Sequence, residues 1–138
     1  MGTPMTAGVA AAFIAIACAG TLEAQSPLAG ETAQPLKRTF LQTFDVPGGD
    51  YQTIIGTSEF APNASIGRHS HPGPEGGYVL RGGGTILVDG QPPLALQAGQ
   101  TYKVAPGVAH DVRSGAEGMT LIVTWVVEKG KPFASPAN

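Results

Sequence analysis

Residues Gly67 to Gly82 read GRHSHPGPEGGYVLRG. Two histidines one residue apart are followed by a Pro72-Gly73-Pro74 turn and then a carboxylate, Glu75. On an extended strand, residues i and i+2 project to one face, so His69 and His71 project together. Neither proline can donate to a ladder, so the chain turns there and brings Glu75 back beside the imidazoles. Two imidazoles and a carboxylate on a rigid sheet form most of a metal site. The chain holds 3 histidines, so a further imidazole has one source, His110.

The surrounding composition fits a small β protein. A chain of 138 residues suits one domain. Charged residues are 13 %, about half the usual share, while Gly (20) and Pro (12) are abundant. Those Gly and Pro residues fall between apolar, β-branched runs and punctuate strands. Arg38 to Val46 alternates apolar and polar residues and ends at Pro47-Gly48-Gly49-Asp50. Tyr51 to Phe60 follows, broken or bulged at Gly56. Gly77 to Arg81 and Thr85 to Val88 flank Gly82-Gly83-Gly84, and Asp89-Gly90 predicts a type I′ hairpin turn. Pro92 to Leu96 and Thr101 to Ala105 are short strands, and Pro106-Gly107 turns the chain just before His110. Met119 to Val127 (MTLIVTWVV) reads as a strand buried on both faces. Even strands at regular turn spacing make the fold all-β, a sandwich or a barrel.

The N-terminus reads differently. Gly8 to Gly20 (GVAAAFIAIACAG) is an apolar run too short to span a bilayer but suited to a signal-peptide core. Small residues ending at Ala24 offer a cleavage point, although Met1 to Thr6 lack Lys and Arg. The expected domains are a signal peptide at 1–24, a flexible linker at 25–37, the β domain at 38–130 and a C-terminal tail at 131–138. Export would end in a periplasm or outside the cell, with no membrane contact after signal removal. The one cysteine, Cys18, lies in the apolar run and only faintly matches a lipidation site. Cleavage after Ala24 leaves no thiol, so any metal must be held by nitrogen and oxygen.

The motifs resemble those of the cupins, single-domain jelly-roll β-barrels. His69, His71, Glu75 and Gly82 fall at the spacing G-x5-H-x-H-x3-4-E-x6-G, with Asn63 in place of the leading Gly. Gly99, Gly107 and His110 fit the second motif, G-x5-P-x-G-x2-H-x3-N; Ala105 stands where Pro is usual and Ser114 replaces the final Asn. The resemblance covers roughly Phe40 to Val127. It implies one divalent metal ion (Fe, Mn, Cu, Ni or Zn) held by His69, His71, Glu75 and His110. Cupins also commonly dimerise by edge pairing, so a homodimer is expected. The fold hosts many activities. The resemblance supports a metal-dependent enzyme of dioxygenase type acting on a small organic molecule, with Glu75 released from the metal as a catalytic general base. A non-catalytic ligand-binding or sensing cupin, or a metal-dependent isomerase or lyase, is the alternative.

Other residues rank lower. A net charge of −2 and no basic stripe exclude nucleic acid as a partner. Arg81 and Arg113 read as solvated strand ends, though either offers a contact for an anionic substrate. Tyr78, Tyr102 and Trp125 read as packing before cavity lining. Gly82-Gly83-Gly84 lacks the Lys and the helix of a phosphate loop. Asn63-Ala64-Ser65 fits a glycosylation sequon. Asp111 follows His110 on a strand and so points to the other face.

Overall fold

Alternating residues from Leu36 to Phe60 form two ten-residue strands, β1 (Leu36–Asp45) and β2 (Tyr51–Phe60), joined by a turn with Gly48 at positive φ. The computed structural model describes Gly2 and residues 35–138. The expected signal peptide, Cys18 and residues 25–34 of the expected linker lie outside the described residues. Six strands follow: β3 (His69–Ser70), β4 (Glu75–Val88), β5 (Leu94–Gln97), β6 (Thr101–Val104), β7 (His110–Glu128) and β8 (Ser135–Pro136). All pairings are antiparallel and no helix occurs among the described residues. The architecture is the all-β jelly-roll barrel that the strand pattern implies.

The two long strands carry the barrel. β7 pairs with β2 along Tyr51 to Phe60 and with β4 on its other side. β4 in turn pairs with β6 at Glu75 to Tyr78 and with β5 at Gly83 to Ile86. Gly82-Gly83-Gly84, expected to separate two strands, lies inside β4. Gly82 takes φ 71°, and the β4–β7 register shifts between Gly82 and Gly84. A side chain at Gly84 would strike the Arg113 backbone, so only glycine lets the strand pass. The expected break at Gly56 is a bulge in the facing strand, where Leu41 is the extra residue between Phe40 and Gln42.

Two further expectations are corrected. Met119 to Val127 is buried on one face: Met119, Leu121, Val123, Trp125 and Val127 point inward, and the residues between them are partly exposed. Asp89-Gly90 is not a type I′ turn, because only Gly90 has positive φ and the β4–β5 ladder closes further out, at Ile86 and Leu94. Pro92 and Pro93 cannot extend that ladder, and Asp89 is engaged by Arg68 at 2.6 Å.

The apolar interior is lined by Ile54, Val79, Ile86, Val112, Leu121 and Val123 among others. Residues expected as a linker end and a tail are part of it. Leu36 packs on the core from the start of β1, and Phe133 does so from beyond β7. Ser135 and Pro136 pair with β3, and the Ala137 amide donates to the Arg68 carbonyl at 3.1 Å.

The turn carrying His71 into Glu75 is wedged against the barrel wall. Val126 N donates to the Pro74 carbonyl at 3.0 Å, and any side chain at Gly73 would strike the Val126 carbonyl oxygen. Gly73→Ala is therefore expected to push the turn off the wall and destabilise the fold by about 1–3 kcal/mol. Urea unfolding of the metal-free variant measures this; an unchanged midpoint would show that the turn moves freely.

Candidate metal centre

Each candidate ligand sits at the end of a strand. His69 opens β3 and lies directly opposite His110, the first residue of β7. His71 follows β3, and Glu75 opens β4 after the Pro-Gly-Pro turn. Directly paired residues of an antiparallel ladder place their side chains together, and the His69 and His110 ring centroids are 4.3 Å apart. His71 stands edge-on to His69, with centroids 5.0 Å apart and planes at 87°. One donor atom from each of His69, His71, Glu75 and His110 lies within 4.8 Å of all the others. The structure brings together the four residues that the sequence nominates.

The backbone fixes which nitrogen of each ring faces the centre. Nδ1 of His69 contacts the Gly67 carbonyl at 2.9 Å, that of His71 the Phe133 carbonyl at 2.6 Å and that of His110 the Val108 carbonyl at 3.0 Å. A carbonyl only accepts, so each Nδ1 donates and each Nε2 keeps a bare lone pair. Metal-ligating histidines are oriented in this way. His71 Nε2 is 2.9 Å and His110 Nε2 3.4 Å from Glu75 Oε2. Neither approach is directed as a hydrogen bond, and both Nε2 atoms are buried without a hydrogen-bond partner. Buried polar atoms are rarely left so. Three lone pairs and a carboxylate oxygen facing one point fit a divalent cation, and the set suits Mn, Fe, Ni, Cu or Zn.

Glu75 is oriented as firmly as the histidines. Tyr102 donates its hydroxyl to Oε1 at 2.5 Å, and Trp125 donates Nε1–H to Oε2 at 2.8 Å. Burial alone pushes the Glu75 carboxyl upward, but hydrogen bonds from His110 and His71, once their rings carry a second proton, and from Tyr102 outweigh that and hold it well below the ordinary range. Burial and the Glu75 charge push the Tyr102 hydroxyl up, so it stays a donor. Burial lowers the pKa of His69, helped by the neighbouring imidazoles of His110 and His71, although the Gly67 carbonyl opposes the shift. Burial also acts downward on His110, but the Glu75 carboxylate reverses it and the net shift is upward.

Several residues outside the four support them. Asp111 does point away from the cluster, yet it is buried and accepts from Ser65 Oγ at 2.9 Å, from the Gly67 amide at 3.1 Å and from Arg113 Nε at 2.7 Å. It therefore holds Gly67, the residue whose carbonyl orients His69. Asn63 has φ 55°, a left-handed conformation that Asn tolerates better than most side chains, so the missing motif glycine costs little. Ser114 Oγ donates to the Ala61 carbonyl at 2.6 Å and accepts from the Ala64 amide at 2.9 Å, fixing the same loop. Arg81 and Arg113 are exposed and away from the cluster, and Tyr78 is exposed as well. Tyr102 and Trp125, read first as packing, hold Glu75. Sequence reasoning missed Arg38 and Phe133; a buried Trp N–H or Tyr O–H needing an acceptor was the available signal for the other two.

Beside His69 the barrel opens. A cleft of about 350 Å³ is bordered by Leu36, Arg38, Ile66, Arg68 and residues 134–136. Behind it a pocket of about 10 Å³, room for about one water, reaches Glu75, Tyr102 and Trp125.

A family model described as "Cupin domain" matches residues 56–127, more than half of the chain. Several solved structures share the fold. The DMSP lyase DddQ from Ruegeria pomeroyi matches with a TM-score of 0.63 at 19% identity, over 82% of this chain and 57% of that one. A cupin-like protein from Thermotoga maritima has a TM-score of 0.60 at 23% identity, over 75% of this chain and 76% of that one. A cupin-2 domain protein from Rhodospirillum rubrum has a TM-score of 0.60 at 17% identity, covering 76% and 67%. The chain spans about half the length of the DMSP lyases it matches. No curated protein sequence matches it. At these identities the likeness is one of fold.

The carbonyl that orients His71 comes from Phe133, late in the chain. A chain ending at Lys131 is expected to stay folded but to bind a divalent ion about 10–100-fold more weakly. Competition with a chromogenic chelator measures this, and an unchanged affinity would remove the Phe133 contact from the site.

Proposed function

The chain belongs to the cupin family, and from that premise we propose that it is an exported, metal-dependent enzyme of dioxygenase type acting on a small organic molecule. The observation that carries the reading is the convergence on Glu75 of three imidazoles, those of His71 and His110 with buried, unpartnered Nε2 atoms and that of His69 beside an open cleft. His69, His71, Glu75 and His110 would hold a divalent ion there, and it would supply Lewis acidity toward a substrate oxygen. The inner pocket is too small for a substrate, so the reacting atoms belong on the cleft side, at the His69 edge. Ile66, Val112, Leu121 and Val123 wall the inner pocket and keep bulk water from the carboxylate. In this reading Glu75 takes a proton from the substrate through the one water for which the inner pocket has room, and Tyr102 and Trp125 hold the carboxylate in place to do so.

A lyase reading stands second. It is favoured by the fold shared with the DMSP lyases, and the same donor set would then polarise a substrate oxygen without consuming O₂. Export rests on the apolar run from Gly8 to Gly20.

Elemental analysis of protein purified from its native compartment tests the central reading. About one metal ion per chain is expected, with loss of the ion in His110→Ala and a mature N-terminus near Gln25. Iron, copper or manganese together with oxygen uptake supports the dioxygenase reading; zinc with no uptake favours the lyase. Glu75→Gln is expected to keep metal through the three imidazoles and to lose about 10²–10⁴-fold in turnover. A variant with full turnover would refute the base role. Protein free of metal in every preparation would refute the centre itself.

We further propose a homodimer built on β1. That strand pairs only with β2 among the described residues and exposes Phe40, Leu41 and Phe44. An unpaired apolar edge is a template for a second strand. Light scattering is expected to give twice the chain mass, and Phe44→Asp to shift it toward monomer; a monomeric wild type would reject the dimer.

A further inference from the structure

Two cavities meet at the metal centre, and three residues belong to both, Arg38, Ile66 and His69. Arg38 projects from β1 and stands at the neck between the outer cleft and the pocket that reaches Glu75. Its guanidinium lies 5.4 Å from the Trp125 ring centroid and 5.2 Å from that of Phe133, so aromatic rings hold it in place. Its Nε is buried and has no hydrogen-bond partner. None of the ion pairs among the described residues involves it.

The other cation of the cleft is committed elsewhere. Arg68 forks onto Asp89 at 2.6 and 2.9 Å and donates to the Asn138 carbonyl at 3.1 Å. One guanidinium in no direct ion pair, with only the Glu75 carboxylate acting on it from behind, is thus left in a cleft whose other walls include Leu36, Ile66, Ala134 and Pro136. A guanidinium is a planar fork that matches a carboxylate, and a single charge suits a monoanion with an apolar body.

We infer that Arg38 sets the specificity of the site by receiving the carboxylate of a small organic acid whose second oxygen group faces His69 and the other ligands. This rests on the metal-centre reading, because without a bound cation the Glu75 charge acts on Arg38 and opposes the binding of an anion there. The metal and Arg38 then grip opposite ends of one molecule, which fixes its direction in the cleft.

The test is calorimetric titration of zinc-loaded protein with protocatechuate and with its neutral amide, which differ only at the carboxylate. The wild type is expected to bind the acid about tenfold or more tightly than the amide. Arg38→Gln is expected to erase that preference while leaving zinc content, melting temperature and amide affinity unchanged. Arg38→Lys is expected to keep part of it, since the charge persists but the fork is lost. Equal binding of acid and amide by the wild type, or an undiminished preference in Arg38→Gln, overturns the role of Arg38 and leaves the metal centre standing. Failure to retain zinc overturns the metal centre and the inference with it, whereas retained zinc with neither compound bound overturns the inference alone.

Discussion

Glu75 is 6% exposed inside an all-β barrel, and the fold is arranged to tolerate that. An isolated buried carboxylate carries a penalty of several kcal/mol unless partners surround it. Trp125 sits directly across the β4–β7 ladder from Glu75, and Tyr102 comes from β6 on the other flank. Both donate to it, so one carboxylate ties β6 and β7 to the start of β4 between them. Gly77 makes this possible: a side chain there would occupy the space of the Tyr102 ring. The imidazoles of His71 and His110 complete the surroundings, and a bound cation would turn the remaining mismatch of bare Nε2 atoms into coordination.

Bringing these groups to one side of the sheet requires a change of parity. In the first half of β7 the inward residues are His110, Val112 and Ser114; in the second they are Met119, Leu121, Val123 and Trp125. Even positions give way to odd ones across Gly115 to Gly118, where Gly118 has φ 72°. A strict period of two would put His110 and Trp125 on opposite faces. The matching irregularity in β4 lets Glu75 and Ile86 both face inward. The glycines of the two long strands therefore act on the site at a distance, by deciding which side chains meet inside.

The four ligand positions were legible because each is a residue type that chemistry restricts, placed by local rules. His69 and His71 share a face through strand periodicity, and the prolines impose the return to Glu75. His110 was found by elimination and by motif spacing. Tyr102 and Trp125 were not separable from packing residues, because the same aromatic serves either purpose until its polar tip has a neighbour. Asp111 was correctly placed off the cluster, yet its hold on the Gly67 amide involves a loop more than forty positions away. Residues 131–138 looked like a tail because a two-residue strand and one backbone carbonyl leave no pattern in a sequence.

By itself, then, the sequence determined the all-β class, the spacing of the turns and the identity of the four donor residues. These follow from local causes: side-chain alternation, the missing N–H of proline and the few residue types able to bind a metal. The tertiary structure decided which imidazole nitrogen faces the centre, what holds Glu75, where the barrel opens and that Arg38 stands at the opening. Each of these is set by contacts between distant segments, such as His71 with Phe133, Glu75 with Trp125 and Arg38 with both aromatics. Strand register and bulges fix such contacts, and both depend on the closed sheet as a whole and on no single stretch of chain.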